Sequence, residues 1–323
     1  MNNDCYEFYY ELMPTTERIV YRAMYDGFIN SEAIFSIPKC EYEKICEIFE
    51  KLVDDHPEIF YVKSIRIQSG SIHRGYRIIP QYRFSKDEIE CMNVEIKREV
   101  ESLVLKCEGK SVVDSEKMIH DYLVKKAIYK DIDAPYSHEM PGVFLYGIGV
   151  CEGIAKAFKY LCDCVGICSG IVVGNTKGET TAHAWNQICI DNEWYNIDVT
   201  FDSNLTKCSG AVRYDYFNLT DYELTDRTSH YGVHMCNKYF GFYKRCQRYA
   251  DCQKELRNIL KKRAKDIISV QLPRMNCTEE QLQEHIFKTV SDTISGFGKC
   301  EIKIWPNYDM NVFTIKITRK GLL

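Results

Sequence analysis

The chain has 323 residues, 27% of them charged, a formal net charge of −4 at pH 7 and a sequence pI near 6.1. That length fits two or three domains and a sizeable core. The charge balance, with no basic stripe interleaved with aromatics, argues against nucleic acid as a partner, and no run of eighteen apolar residues offers a membrane span. Sixteen cysteines run from Cys5 to Cys300 with no repeated spacing, no CxxC and no Cys/His cluster of zinc-site spacing. They read as free thiols of a cytoplasmic protein. The opening residues, MNNDCYEF, lack the charged start and apolar stretch of a secretory leader. No cofactor and no metal is expected.

Residues 1–112 read as an α+β region. Ile45, Ile48, Phe49 and Leu52 form a helical stripe, stopped before Pro57, which restricts the residue preceding it. Strand-like runs follow at 59–67 (IFYVKSIRI) and 76–84 (YRIIPQYRF), separated by the turn-rich SGSIHRG. Ser85 and Glu88 have capping-box spacing and open another helix.

Residues 113–245 carry the chemistry. The stretch 114–129 (DSEKMIHDYLVKKAIY) reads as a helix with Met118, Ile119, Tyr122, Leu123 and Ala127 inward and His120 along it. The segment 134–149 (APYSHEMPGVFLYGIG) connects it to a second helix, and its His138 either lines a cleft or is exposed. That second helix begins at GVCEG: Ile154, Phe158, Leu161, Cys162 and Val165 share a face, and Gly166 ends it. Cys151 therefore lies at or near a helix N-terminus, where the macrodipole favours a thiolate and unpaired N–H groups can hold an oxyanion. HAWNQICI (183–190) and WYNIDVTF (194–201) read as two strands joined by a turn at Asp191–Glu193. On the second strand, Trp194, Asn196, Asp198 and Thr200 share a face. The hairpin brings Asp198 beside His183.

The remainder, 246–323, reads as a small α/β module without a chemical motif. It has a basic helix through ELRNILKKRAK, a strand IISVQL, a helix opened by Thr278, and the strands CEIKIW and VFTIKI. KKRAK is most simply a solvated face, and His285 a surface residue.

A thiol nucleophile needs a base, and the base needs an acceptor that fixes its tautomer. Taken singly, Cys151 reads as core, as Cys162 and Cys164 do on the same helix, and His183 and Asp198 are weak signals. Together, in the order Cys151, His183, Asp198 and in the contexts GVCEG, HAW and YNIDVTFD, they resemble the core of the transglutaminase-like superfamily. DHPEIFYV (55–62), IHDYLVKKAIYKD (119–131) and YFNLTD (216–221) resemble flanking pieces of bacterial members. Phe201 departs from the resemblance, since many relatives have tryptophan there. His120 precedes Cys151, which breaks the family order and makes it structural.

The resemblance implies an α+β, papain-like fold: a nucleophile helix packed on an antiparallel sheet, with the N-terminal α+β region and the small C-terminal α/β module outside it. It implies a cysteine-dependent acyl-transfer enzyme acting on protein or peptide amides through a thioester. Hydrolysis is the favoured outcome, because no acceptor-site or calcium-loop pattern appears. A protein-crosslinking transglutaminase and a non-catalytic peptide-binding module are the alternatives.

Overall fold

A computed structural model describes residues 5–69, 75–176, 181–225, 227–263, 267–297 and 300–319. The fold is α+β. In the first part α1 (Phe8–Leu12), α2 (Thr15–Ile29) and α3 (Tyr42–Asp55) pack beside an antiparallel sheet of β1 (Phe35–Ile37), β2 (Val62–Ser69) and β3 (Tyr76–Tyr82), in the order β1-β3-β2. The stripe Ile45, Ile48 and Leu52 is fully buried. The chain leaves α3 just before Pro57, as the proline requires. The turn expected at SGSIHRG, with His73, lies largely outside the described residues. Ser85 and Glu88 form the expected capping box at the start of α4 (Lys86–Cys107).

The next part holds α5 (Val112–Lys126), β4 (Ile128–Tyr129), α6 (Met140–Tyr146), β5 (Ile148–Gly149), α7 (Cys151–Cys164), β6 (Ser169–Thr176), β7 (Ala182–Ile190), β8 (Glu193–Ile197), α8 (Val199–Ser209) and β9 (Arg227–Ser229). The four-stranded sheet has the order β8-β7-β6-β9, and every pairing is antiparallel. Ile154, Ala157, Phe158 and Leu161 of α7 are fully buried, and Gly166, in the left-handed region at φ +73°, follows the helix end. On α5, Ile119, Leu123 and Ala127 face inward as expected, but Met118 and Tyr122 are only half-buried, and Glu116 and His120 take the most buried places.

One expectation is overturned. The strand read over 194–201 stops at Ile197, and Val199–Ser209 is helical. The β-branched and aromatic run VTF suits a strand by propensity. The Asp198 carboxylate, however, caps a helix by accepting the Phe201 N–H at 2.9 Å, and Gly210 closes that helix in the left-handed conformation. The end signals outweigh the composition of the first turn.

The last part contains α9 (Phe242–Arg245), α10 (Gln253–Arg263), β10 (Ile268–Gln271), α11 (Glu279–Ile294), β11 (Cys300–Asn307) and β12 (Val312–Arg319). Its sheet, in the order β10-β12-β11, packs on α10 and α11 around Leu260, Ile286, Val290 and Ile315. Thr278 caps α11 as expected, and His285 is exposed. The tip of the β11–β12 hairpin reaches back: Met310 and Val312 join the apolar cluster that also holds Phe8, Ile154 and Phe217. Asn307 Nδ2 donates to Asp215 Oδ2 at 2.9 Å.

Candidate active site

Cys151 is the first residue of α7. The extended Val150 before it donates its N–H to Ser137 O at 3.1 Å. The first backbone bond of the helix runs from Ile154 N to Val150 O, so the N–H groups of Cys151, Glu152 and Gly153 have no acceptor within the helix. Cys151 is half-buried and packs against Ala155, Ile171 and Ala184. The close connection before it depends on Gly142: a Cβ there would lie 2.5 Å from Tyr136 O and 2.8 Å from Ile148 O.

His183 sits on β7 opposite Gly174 of β6. Its ring stacks near Trp185, with centroids 6.1 Å apart and planes at 17°, and lies 4.9 Å from Phe201. Nε2 is 2.7 Å from Asp198 Oδ2, and the ring also contacts the Cys151 thiol. With Nε2 committed to the carboxylate, Nδ1 is the nitrogen left for sulfur. Burial opposes a charge on the ring, but Asp198 and the thiol outweigh it and raise the His183 pKa to about 9. The ring is therefore an imidazolium at neutral pH.

Asp198 is 1% exposed. Burial acts against its ionisation, but Arg227, His183 and the Phe201 N–H together hold its carboxyl well below the usual carboxylate range. Oδ1 takes the Phe201 N–H, and Oδ2 takes both His183 and Arg227 Nη1, the latter at 2.6 Å. Cys151, His183 and Asp198 thus come together although they stand on a helix start, a strand and a helix N-cap.

Arg227 was not legible in the sequence. It belongs to a three-residue strand in TDRTSH, 29 residues beyond Asp198, and no periodicity or spacing points to it. Its guanidinium lies 4.6 Å from the Phe201 ring centre and 5.3 Å from that of Trp185. The close approach of β9 needs Gly174, since a Cβ there would lie 2.0 Å from Thr228 O and 2.8 Å from the Trp185 ring.

His120 stands behind this centre, as a structural histidine should. It is fully buried, with Nε2 3.0 Å from Asp202 Oδ2 and its ring stacked on Tyr214 at 5.0 Å. Asp202 Oδ1 accepts the N–H groups of Asp215 and Tyr216, and Tyr216 O accepts the Asp198 N–H. His138 is on the surface, 3.0 Å from Glu152.

Among the described residues, Cys5, His56 and Glu58 form the group whose donor atoms lie close enough to hold a metal ion. Both ring nitrogens of His56 are already engaged, by Glu58 at 2.7 Å and Glu7 at 3.1 Å. Burial opposes the charge, yet the thiol and the two carboxylates raise the His56 pKa to about 12. The cluster is an imidazolium held between carboxylates.

Residues 101–199 match the model of the transglutaminase-like superfamily. The chain carries a transglutaminase-like domain there, and Cys151, His183 and Asp198 all lie inside the matched stretch. No curated protein matches the chain. Among solved structures it is similar to a transglutaminase, at 16% identity over 51% of this chain and 49% of that one, with a TM-score of 0.31. A candidate cysteine protease from Cytophaga hutchinsonii is 15% identical over 42% and 61%, with a TM-score of 0.28. The periplasmic domain of TgpA from Pseudomonas aeruginosa is 14% identical over 40% and 55%, with a TM-score of 0.28. The chain thus spans about half to three fifths of the solved chains it matches. Among the described residues, no helix is long and apolar enough to cross a membrane.

Proposed function

We propose that this chain is a thiol-dependent acyl-transfer enzyme that cleaves amide or peptide bonds through a thioester on Cys151, with water as the acceptor. The observation that carries this reading is the His183 ring, bound through Nε2 to the Asp198 carboxylate at 2.7 Å and set beside Cys151 at the start of α7. A cationic ring beside sulfur favours the thiolate, and the helix N-terminus adds to it. The thiolate attacks the carbonyl carbon. The oxyanion that forms is placed to accept from the free N–H groups at the start of α7. His183 gives its proton to the departing amine as the C–N bond breaks, leaving a thioester and a neutral ring. That ring then takes a proton from water as the water oxygen attacks, and keeps it as the acid is released and sulfur leaves as the thiolate, which restores the starting ion pair. Asp198 holds the ring in one orientation throughout.

Water is the default acceptor because it needs no binding site of its own, whereas a lysine or polyamine does. The sixteen cysteines, all unpaired, suit the reducing cytoplasm as the compartment. The test is product analysis of a peptide library with and without a labelled primary amine, for the wild type and for Cys151→Ala. Cleavage that disappears with Cys151→Ala supports hydrolysis. Amine incorporation that disappears with it replaces hydrolysis by transamidation. No turnover of either kind favours a peptide-binding module.

A further inference from the structure

A carboxylate that only orients a histidine needs one partner on that side, and Asp198 has two. His183 Nε2 at 2.7 Å and Arg227 Nη1 at 2.6 Å converge on the same oxygen, Oδ2. The Arg227 side chain is 2% exposed. A guanidinium buried to that degree is costly unless it is paired, and one pairing here is with the carboxylate that serves the proposed base. We propose that Arg227 is a positioning residue that sets, through Asp198, how tightly His183 holds its proton, and so sets the rate of thioester hydrolysis. This inference rests on the acyl-transfer reading above for its consequence in rate, but not for the coupling itself.

The physical reason is competition at one oxygen. Each donor to Oδ2 draws on the same electron density, so a second donor weakens the first bond. A fixed positive charge nearby also disfavours a second positive charge on the ring. Asp198 and the thiol raise the proton affinity of His183, and Arg227 acts against them. The groups facing the ring are Cys151 from α7, Asp198 at the start of α8 and Arg227 from β9, with Trp185 and Phe201 supplying apolar walls. The Arg227 guanidinium also lies 5.4 Å from the Tyr216 ring centre.

The two half-reactions ask for different things. A protonated ring assists formation of the thiolate, whereas hydrolysis of the thioester needs a neutral ring to accept a proton from water. A base works best when its affinity lies near the working pH. With Arg227 in place the four groups sum to zero charge in the thiolate–imidazolium state. Without it the site carries an uncompensated negative charge, and the imidazolium is harder to discharge.

The test uses the full chain labelled with ¹³C-histidine in a Cys151→Ala background, where no thiol titrates beside the ring. Arg227→Gln and Arg227→Met should raise the His183 midpoint by about one pH unit, and Arg227→Lys should restore at least half of that shift. Midpoints equal to that of the Arg227 protein in folded Gln and Met variants would overturn the proposal. Should both uncharged variants unfold, the Cys151→Ala protein with Arg227 intact decides. Its Arg227 Nε resonance should titrate with the His183 midpoint, and a flat resonance across that range overturns the coupling. A second arm uses p-nitrophenyl acetate with Cys151 intact. Arg227→Gln should keep the burst of p-nitrophenolate but slow the following steady release about tenfold at pH 7, with recovery as pH rises. Unchanged steady release would overturn the link to rate. Absence of any Cys151-dependent burst in the wild type would instead overturn the acyl-transfer reading, while the histidine titration still decides the coupling.

Discussion

Asp198 holds three donors within one side chain, so its replacement has two consequences. Asp198→Asn keeps the shape but loses the charge that steadies the imidazolium and pairs with Arg227. Activity on any substrate found should fall by roughly 10²–10⁴-fold. Stability should fall by about 3 kcal/mol, because the buried ion pair between Asp198 and Arg227 is broken; urea denaturation checks this. The thiols make a second test. Burial pushes the Cys5 and Cys164 thiols up to about 11, and raises Cys162 and Cys236 as well. Limiting iodoacetamide at pH 6 should therefore modify Cys151 first, as peptide mapping will show; preference for any other cysteine counts against the site. His183 gives a pH dependence of stability. Its folded value is raised, so its contribution is complete below its unfolded value near 6.5 and is lost as pH rises through about 9. The stability difference between wild type and His183→Gln should accordingly shrink over that window, by an amount on the order of 3 kcal/mol.

Single strands and helix starts are what bring these groups together. β9 is only three residues long, and it lies against β6 because Gly174 presents no side chain to Thr228 O. Gly174→Ala should push β9 away, cost about 1–3 kcal/mol, and shift the His183 titration upward as removal of Arg227 does. Gly210→Ala is the control. It has the strain of φ +73° but open space around the new methyl group, so it should cost about 1 kcal/mol and leave the His183 midpoint unchanged. The periodicity of α7, the β7–β8 hairpin, the capping box of α4 and the Thr278 start of α11 were legible because each is specified within a few consecutive residues. The start of α8 was misread because Val199, Thr200 and Phe201 have strand-like side chains. The cap Asp198, the acidic Asp202 in the first turn and Gly210 at the end were the signals for a helix.

Over the whole molecule, the β11–β12 hairpin reaches back to the central part of the chain. Asn307 donates to Asp215, whose carboxylate also holds Arg213 and the Tyr243 hydroxyl, all deeply buried. Asn307→Ala removes one donor from that carboxylate and should cost about 1–2 kcal/mol. Limited proteolysis should then cut faster within 246–319 than in the wild type. The other end of the chain is pinned in a comparable way, by Tyr9 and Tyr10 N–H groups on the Asp55 carboxylate and by the Phe8 ring over Gly170 of the central sheet. These long-range closures join residues tens to more than a hundred positions apart, and no local pattern marks them.

By itself the sequence determined the class of fold, the elements that carry the chemistry and the three residues proposed for it, because periodicity, capping and the contexts of Cys151, His183 and Asp198 are local properties of the chain. Only the tertiary structure decided that His120 is bound to Asp202 behind the site, and that Arg227 shares the Asp198 carboxylate with His183. Each of these is a pairing of polar groups deep in the interior. Which buried charge meets which is set by how distant segments close on one another, not by the residues on either side.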